Sequence, residues 1–214
     1  MSPRRARAVT GEGDPAAQLR ERLVDTAAAL VADGQVSAIT TRQIARAAGV
    51  SDGVLYNYFA DKNELVVAAL VRHFETVVSR SHGELPIAGS GTVADNLLTY
   101  GEALYNLSRD TFPMIAGLIT EPALLRRVME ELHRPGQGIL PFLDRIGEYL
   151  VEEQRLGRIA DVDLQATMAL LTGACATLTM RAHLDPDSSA GSGPADDARA
   201  KVAPIVQVLM RGIA

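Results

Sequence analysis

Apolar residues recur every three or four positions along most of the chain, which is the spacing of one face of an α-helix. Leu19, Leu23 and Ala27 lie in the first such stretch, which starts near Ala16 and which Gly34 ends. Alternating apolar and polar runs flanked by Asn-Gly or Asp-Gly turns are missing from the sequence, so no β-sheet is predicted. We therefore expect an all-α protein.

Polar caps and glycine stops divide the rest of the chain into further helices. Because proline removes a backbone donor from a helix interior, the prolines after residue 108 are expected to break that region into several shorter helices. These prolines are Pro113, Pro122, Pro135 and Pro141. The predicted helices are 41–48, capped by Thr40 and ended by Gly49; a short one from Ser51 or Asp52 through Tyr58; a longer one capped by Asp61; 92 to about 108; 139–156; 163 to about 184; and 195–213, bent at Pro204.

A boundary between two modules is predicted at residues 86–91, where Pro, Gly and Ser cluster. We divide the chain into a flexible basic arm at 1–15, a three-helix module at 16–62 with a connecting helix to about residue 84, and a larger helical module at 85–214. Residues 1–62 hold eight basic and seven acidic residues, whereas the remainder holds thirteen and nineteen. Any contact with DNA is therefore expected in the N-terminal module.

Residues 40–59 have the spacing of a helix-turn-helix. Ala45 is small where two short helices would approach closely, and Gly49 permits the sharp turn four residues later without a Cβ clash. The core between the helices would be completed by Ile44, Val50, Leu55 and Phe59. The spacing alone is equally compatible with two short helices of an ordinary bundle, but the polar and aromatic residues left outside favour a DNA-binding surface.

The run Thr41-x-x-Ile44-Ala45-x-x-Ala48-Gly49-Val50-Ser51-x-Gly53-x-Leu55-Tyr56-x-Tyr58-Phe59-x-x-Lys62-x-x-Leu65 resembles the signature of the TetR family of one-component transcriptional regulators. Tyr58 departs from the pattern, since many members have His there, but Tyr can also donate to a phosphate. The resemblance implies an N-terminal helix-turn-helix domain, and a larger C-terminal domain that binds a small effector and forms a homodimer. It implies no cofactor.

Carried over position by position, the resemblance implies two kinds of contact with double-stranded DNA. Hydroxyl and amine groups near helix N-termini suit phosphates, and side chains with polar edges suit bases. The implied phosphate contacts are Thr41, Ser51, Tyr58 and Lys62. The implied base contacts are Arg42, Asp52, Gly53, Tyr56 and Asn57, with Arg42 suited to guanine and Asn57 to adenine. Two readings stay open for the arm residues Arg4, Arg5 and Arg7: entry into a minor groove, or a solvated tail.

The last two predicted helices contain small and apolar residues on more than one face, which indicates packing against partners on more than one side. They resemble the four-helix dimer interface of the family, and a helix-turn-helix usually reads two half-sites about 34–36 Å apart. The expected dimer contacts are Leu170, Ala174, Leu178, Val202, Ile205 and Leu209. Burial of these residues within a single domain is the alternative.

The middle helices, about 92–160, are expected to enclose a pocket for a small, mostly hydrophobic effector. The expected lining is Tyr100, Leu104, Phe112, Met114, Leu118, Phe142, Ile146, Tyr149, Met168, Thr172 and Cys175. Further candidate polar anchors are Arg109, Glu121 and His133. For each of these residues, core packing or surface exposure is the simpler explanation.

Other function classes are less favoured by the sequence. It lacks the phosphate-loop, dinucleotide-binding, nucleophile-elbow and metalloprotease motifs, and its four histidines form no pair at i,i+4, so neither an enzyme nor a metal site is expected. The single cysteine excludes an internal disulfide, and no apolar run approaches the ~20 residues of a membrane span, so we expect a cytoplasmic protein. We expect a repressor that leaves a near-palindromic operator on binding its effector; a DNA-binding regulator without a ligand, or an activator, fits the same sequence.

Overall fold

The computed structural model describes residues 14–32, 39–81, 83–134, 138–184 and 196–213. Within these ranges the chain forms nine α-helices and no strand, which confirms the all-α prediction. The expected basic arm, with Arg4, Arg5 and Arg7, lies outside the described residues except at its C-terminal end. The helices are α1 (Pro15–Val31), α2 (Thr41–Ala48), α3 (Asp52–Leu55), α4 (Lys62–Ser81), α5 (Val93–Leu118), α6 (Pro122–Leu132), α7 (Leu140–Arg155), α8 (Leu164–Leu184) and α9 (Asp196–Ile213).

The first three helices pack as a small bundle, in which α1 also packs along α4. Asp14 caps α1 by accepting a hydrogen bond from the Ala16 N–H at 3.1 Å, and Pro15 occupies the first turn, where its missing donor costs nothing. The inner face of α1 is fully or nearly fully buried at Leu23 and Val24. Because α1 packs along α4 and also against α2, these helices form one core beneath α3.

The C-terminal module is built around the long helix α5, which packs against α4, α8 and α9. Gly101 is buried in the middle of α5, and a Cβ at this position would overlap the side chain of Val202 on α9. The absence of a side chain therefore lets these two helix axes approach closely. On the adjoining face, the Cys175 thiol of α8 lies 3.6 Å from the Gly101 carbonyl oxygen.

Two predicted helix boundaries need correction. The helix predicted from residue 92 does not end near residue 108, because α5 continues through Pro113 to Leu118. Pro113 is exposed, so its ring displaces no core side chain, while buried residues on both sides of it keep the helix packed. The short helix expected through Tyr58 ends at Leu55, and residues 56–58 form a turn that follows it.

The other prolines behave as helix starts or leave the helix continuous. Pro122 and Pro141 lie in the first turns of α6 and α7, which is where proline is tolerated. Pro204 lies inside α9, which is continuous through it from Asp196 to Ile213. Pro135 and residues 185–194, between the last two predicted helices, lie outside the described residues.

Two kinds of feature are absent from the described part of the chain. Its helices include none with the length and apolar character needed to cross a membrane. Its His, Cys, Asp and Glu side chains form no group of three or more with the arrangement of a metal site.

Candidate nucleic-acid interface

Helix α2 is fixed at both ends by local backbone chemistry. Thr40 is its N-cap: its hydroxyl accepts from the Gln43 N–H at 3.2 Å, and the Gln43 side chain accepts from the Thr40 N–H at 2.8 Å. Gly49 ends the helix with φ 71°, a left-handed conformation that glycine adopts without strain. The Val50 N–H then donates to the Ala45 carbonyl at 2.9 Å, so the turn toward α3 is closed by hydrogen bonds.

A compact apolar core lies beneath the turn between α2 and α3. Ile44 and Ala45 of α2 are fully buried, and Leu55 and Phe59 are nearly so. The guanidinium carbon of Arg20 on α1 lies 5.0 Å from the centroid of the Phe59 ring, which places a cation over its face. These contacts orient α3 so that its remaining residues point away from the core.

The five residues predicted to contact bases lie on the outer side of this motif. The Arg42 side chain is 86% exposed and Tyr56 is 58% exposed. Gly53 and Asn57 are exposed, and Asp52 is half-buried. A Cβ added at Gly53 would meet nothing within 4 Å, so packing within the chain does not explain the glycine.

The four residues predicted to contact phosphates surround the same surface. Ser51 is the N-cap of α3, but its hydroxyl makes no capping hydrogen bond and is available to a partner. Thr41 and Lys62 stand at the first positions of α2 and α4, and both are half-buried, as is Tyr58. The arrangement places donors around an exposed short helix, although contact with DNA itself stays a prediction.

A pair of ion pairs between α1 and α4 could not be predicted from the sequence pattern. Arg72 of α4 forms ion pairs with both Glu21 and Asp25 of α1, and Glu21 is the largest cause of the raised pKa of this guanidinium. Arg72 lies 47 positions after Asp25 and 51 after Glu21 along the chain, so only the folded arrangement brings it to them. The paired charges fasten α1 to α4 beside the helix-turn-helix.

Comparison with known proteins agrees with this geometry. The model of the family described as bacterial regulatory proteins, tetR family, matches residues 23–69, which span most of α1 through the first part of α4. Over these residues the chain is similar to the N-terminal domain of the TetR family. Over 79 residues it is 39% identical to the HTH-type transcriptional repressor KstR of Rhodococcus jostii. That match covers 35% of this chain and spans only 37% of the length of the relative.

Solved structures with the same fold extend over nearly the whole chain. The flavonoid-responsive regulator FrrA superposes with a TM-score of 0.64 at 18% identity, covering 92% of this chain and 97% of FrrA. The regulator FadR of Bacillus subtilis, solved in complex with stearoyl-CoA, gives a TM-score of 0.54 at 15% identity, covering 91% and 99%. These likenesses establish the fold, including the larger C-terminal helical domain. The family and these proteins are described as regulators rather than enzymes.

The residues predicted to line an effector pocket lie on α5, α7 and α8, where most of them belong to the apolar core cluster. Most are buried, while Phe112, Met168 and Thr172 are half-buried. The rings of Tyr100 and Tyr149 pack with centroids 5.1 Å apart, and burial raises the pKa of both hydroxyls. Burial also raises the pKa of the Cys175 thiol to about 11, consistent with an apolar core position.

The three additional polar anchors do not lie in this apolar cluster. Arg109 pairs with the neighbouring Asp110 at 2.8 Å, and Glu121 is exposed before α6. His133 is exposed at the end of α6, where its Nδ1 lies 2.6 Å from the Met129 carbonyl oxygen. Their polar groups are therefore engaged locally or face solvent.

The residues predicted to form a dimer surround an apolar groove between α8 and α9. Leu170, Ala174, Ile205 and Leu209 line it, the groove volume is about 660 Å³, and Leu178 lies half-buried further along α8. Val202 was predicted at the dimer interface, but its side chain is fully buried against Gly101, so it belongs to the core of its own chain. The groove contains none of the predicted effector-pocket residues.

Proposed function

We propose that this chain is a transcriptional repressor that binds a near-palindromic DNA operator as a homodimer and is released by a small, mostly hydrophobic effector. The observation that carries the proposal is the outward placement of Tyr56 and Asn57 next to the buried Leu55 and Phe59. An aromatic ring and an amide that a single domain leaves in water are suited to stacking on and reading base edges. The repressor name of the KstR relative supports the same function.

The roles of the site residues follow from their chemistry. Lys62 and the hydroxyls of Thr41, Ser51 and Tyr58 hold phosphates, which adds affinity that falls with salt without reading sequence. Asn57 pairs with an adenine edge through its amide, and Arg42 with guanine. Gly53 leaves space for the groove wall, because its place in α3 is open on the protein side.

The dimer is proposed to form through α8 and α9. Leu170 and Val208 are 65% and 69% exposed and both line the apolar groove, so the chain alone leaves a continuous hydrophobic surface in water. A second copy related by a two-fold axis would cover this surface with its own equivalent face. It would also supply the second recognition helix that a near-palindromic operator needs.

The effector is proposed to enter the apolar cluster between α5, α7 and α8. Thr179 Oγ1 and Asn106 Oδ1, on the packed helices α8 and α5, are buried without a hydrogen-bond partner and offer polar anchors. FrrA is named as flavonoid-responsive, and the FadR structure contains stearoyl-CoA, which supports an effector with a large apolar part. Because α4 packs on α1, α5 and α6, a shift of α5 would reach the DNA-binding bundle through α4.

Release then follows from differential affinity. An effector that binds a shifted position of α5 more tightly than the position that fits DNA moves the dimer toward a spacing that no longer fits both half-sites. Coupling of about 1–3 kcal/mol between effector and operator is typical of such switches. A regulator that needs no ligand, or one that activates transcription, would bind the operator in the same way and differ only in the release step.

Selection of bound sequences from a random DNA pool with the full-length protein tests the proposal. It should enrich a near-palindrome with half-site centres about 34–36 Å apart. Enrichment of no sequence would overturn it. Stearoyl-CoA and naringenin then serve as probes. Each is added to the protein, and the melting temperature of the protein and its affinity for the operator are measured. A probe that raises the melting temperature but leaves the operator affinity unchanged at saturation would overturn the release step.

A further inference from the structure

A carboxylate lies on the surface proposed to read bases. Asp52, at the first position of α3, has Oδ2 3.4 Å from Nε of Arg42 on α2. This ion pair joins the two helices of the motif on their exposed side, with the Asp52 side chain about half exposed. An exposed pair of this kind contributes little to stability, so stability does not explain why a DNA-facing surface includes an acid.

The other acids near this surface have a local structural role. Asp61 caps α4 by accepting from the Glu64 N–H at 2.7 Å, and Glu64 in turn accepts from the Ala60 N–H at 2.7 Å. Asp52 makes no comparable capping bond. The N-cap residue of α3 is Ser51, and no side chain caps this helix. The Asp52 side chain contacts the Arg42 guanidinium, so a role for Asp52 would act through this contact.

We propose that Asp52 is a positioning residue that holds Arg42 for recognition of one guanine in each half-site. The inference rests on the proposed DNA-binding function. An Arg side chain that is 86% exposed has many rotamers, and a fixed contact at Nε removes most of them. With Nε engaged, Nη1 and Nη2 remain free and lie side by side, as two-pronged donation to guanine O6 and N7 requires.

The same carboxylate disfavours binding without the correct base. Its negative charge is repelled by DNA phosphates, and that cost is present on every sequence. Only where Arg42 meets guanine is the cost offset by the ordered pair of hydrogen bonds. Asp52 thus lowers affinity for arbitrary DNA more than affinity for the operator, which increases the ratio between the two.

The test measures equilibrium binding of the full-length protein to the selected operator, to operators with each base pair changed, and to random-sequence DNA. Wild type should prefer guanine at one position of each half-site by roughly 5- to 100-fold. Asp52→Asn should reduce that preference several-fold at the same position and increase affinity for random DNA. Arg42→Ala should abolish the preference, and adding Asp52→Asn to Arg42→Ala should change it no further.

Glu152→Gln is the matched control, because Glu152 pairs with Arg155 on α7, away from this surface, and its loss changes the net charge equally. This variant should leave affinity for random DNA unchanged. The proposal would be overturned if Asp52→Asn left the guanine preference undiminished. It would also be overturned if Asp52→Asn changed the base preference of the Arg42→Ala variant, since Asp52 would then contact a base itself. Selection of no sequence by wild type would instead reject the proposed function as a whole.

Discussion

Glu153 of α7 and Arg158 form an ion pair in which the carboxylate is fully buried, with Oε2 3.2 Å from Nε. Glu153 Oε1 also accepts a hydrogen bond from the Gly89 N–H at 3.1 Å, and Arg158 Nη2 donates to the Gly91 carbonyl at 2.6 Å. Gly89 and Gly91 belong to the segment between α4 and α5. The pair therefore fastens the connection between the two modules to the end of α7.

Arg158→Gln should strongly destabilise the protein, because it leaves the buried Glu153 carboxylate without its cation. Loss of one partner of a buried pair typically costs about 3–5 kcal/mol. Denaturant unfolding measures the change in the free energy of unfolding. Arg155→Gln is the matched control, since Arg155 pairs with Glu152 on the surface and its loss should have little effect. Equal stability of the two variants would show that the buried pair has no such role.

Gly53→Ala should separate DNA binding from folding. The added Cβ meets nothing within the chain, and alanine favours a helix over glycine by about 1 kcal/mol, so the melting temperature should stay or rise. On DNA the methyl group should hinder approach of α3 and weaken operator binding. Fluorescence anisotropy with labelled operator measures the affinity, and an unchanged affinity would show that DNA does not approach this position closely.

Leu170→Glu should disrupt the proposed homodimer, because it places a charge in the apolar groove between α8 and α9. Light scattering after size exclusion should give the mass of one chain, and operator affinity should fall roughly 100-fold or more as the second half-site is lost. Ile87→Glu is the control, since Ile87 is 77% exposed but lies outside the groove. A dimer that survives Leu170→Glu would exclude this face as the interface.

Cys175 should make stability depend on alkaline pH. Burial raises its pKa from 9.0 to about 11, so the unfolded chain releases the thiol proton at lower pH than the folded one. The free energy of unfolding should therefore fall as pH rises through this window, and Cys175→Ala should remove that part of the slope. Iodoacetamide should label native Cys175 far more slowly than the denatured chain at about pH 8; equal labelling rates would contradict burial of the thiol.

Much of the DNA-binding module could be predicted from sequence because its determinants are local. Thr40 and Gly49 set the ends of α2, and these are properties of a few neighbouring residues. Apolar spacing also separated the buried Leu55 and Phe59 from the exposed Tyr56 and Asn57. Only the end of α3 was misplaced, since residues 56–58 follow it as a turn.

The features that could not be predicted depend on distant partners. Pro113 was expected to end a helix, but packing of α5 on its neighbours outweighs the lost hydrogen bond. Val202 and Val208 are equally apolar, and periodicity does not tell which one faces Gly101 and which one faces solvent. Burial of Glu153 could likewise not be predicted, because Gly89, which donates to its carboxylate, lies more than sixty residues earlier in the chain.

The most direct test of the central claim is the affinity of wild type and Asn57→Ala for the selected operator and for its single base-pair variants. We predict that Asn57→Ala binds the operator roughly 5- to 100-fold more weakly and loses its preference at one base pair of each half-site, with unchanged thermal unfolding. Lys62→Ala, by comparison, should weaken binding to all sequences and lower the salt slope by about one. If Asn57→Ala weakened binding equally on every sequence, or not at all, the exposed surface around α3 would not be what reads the DNA.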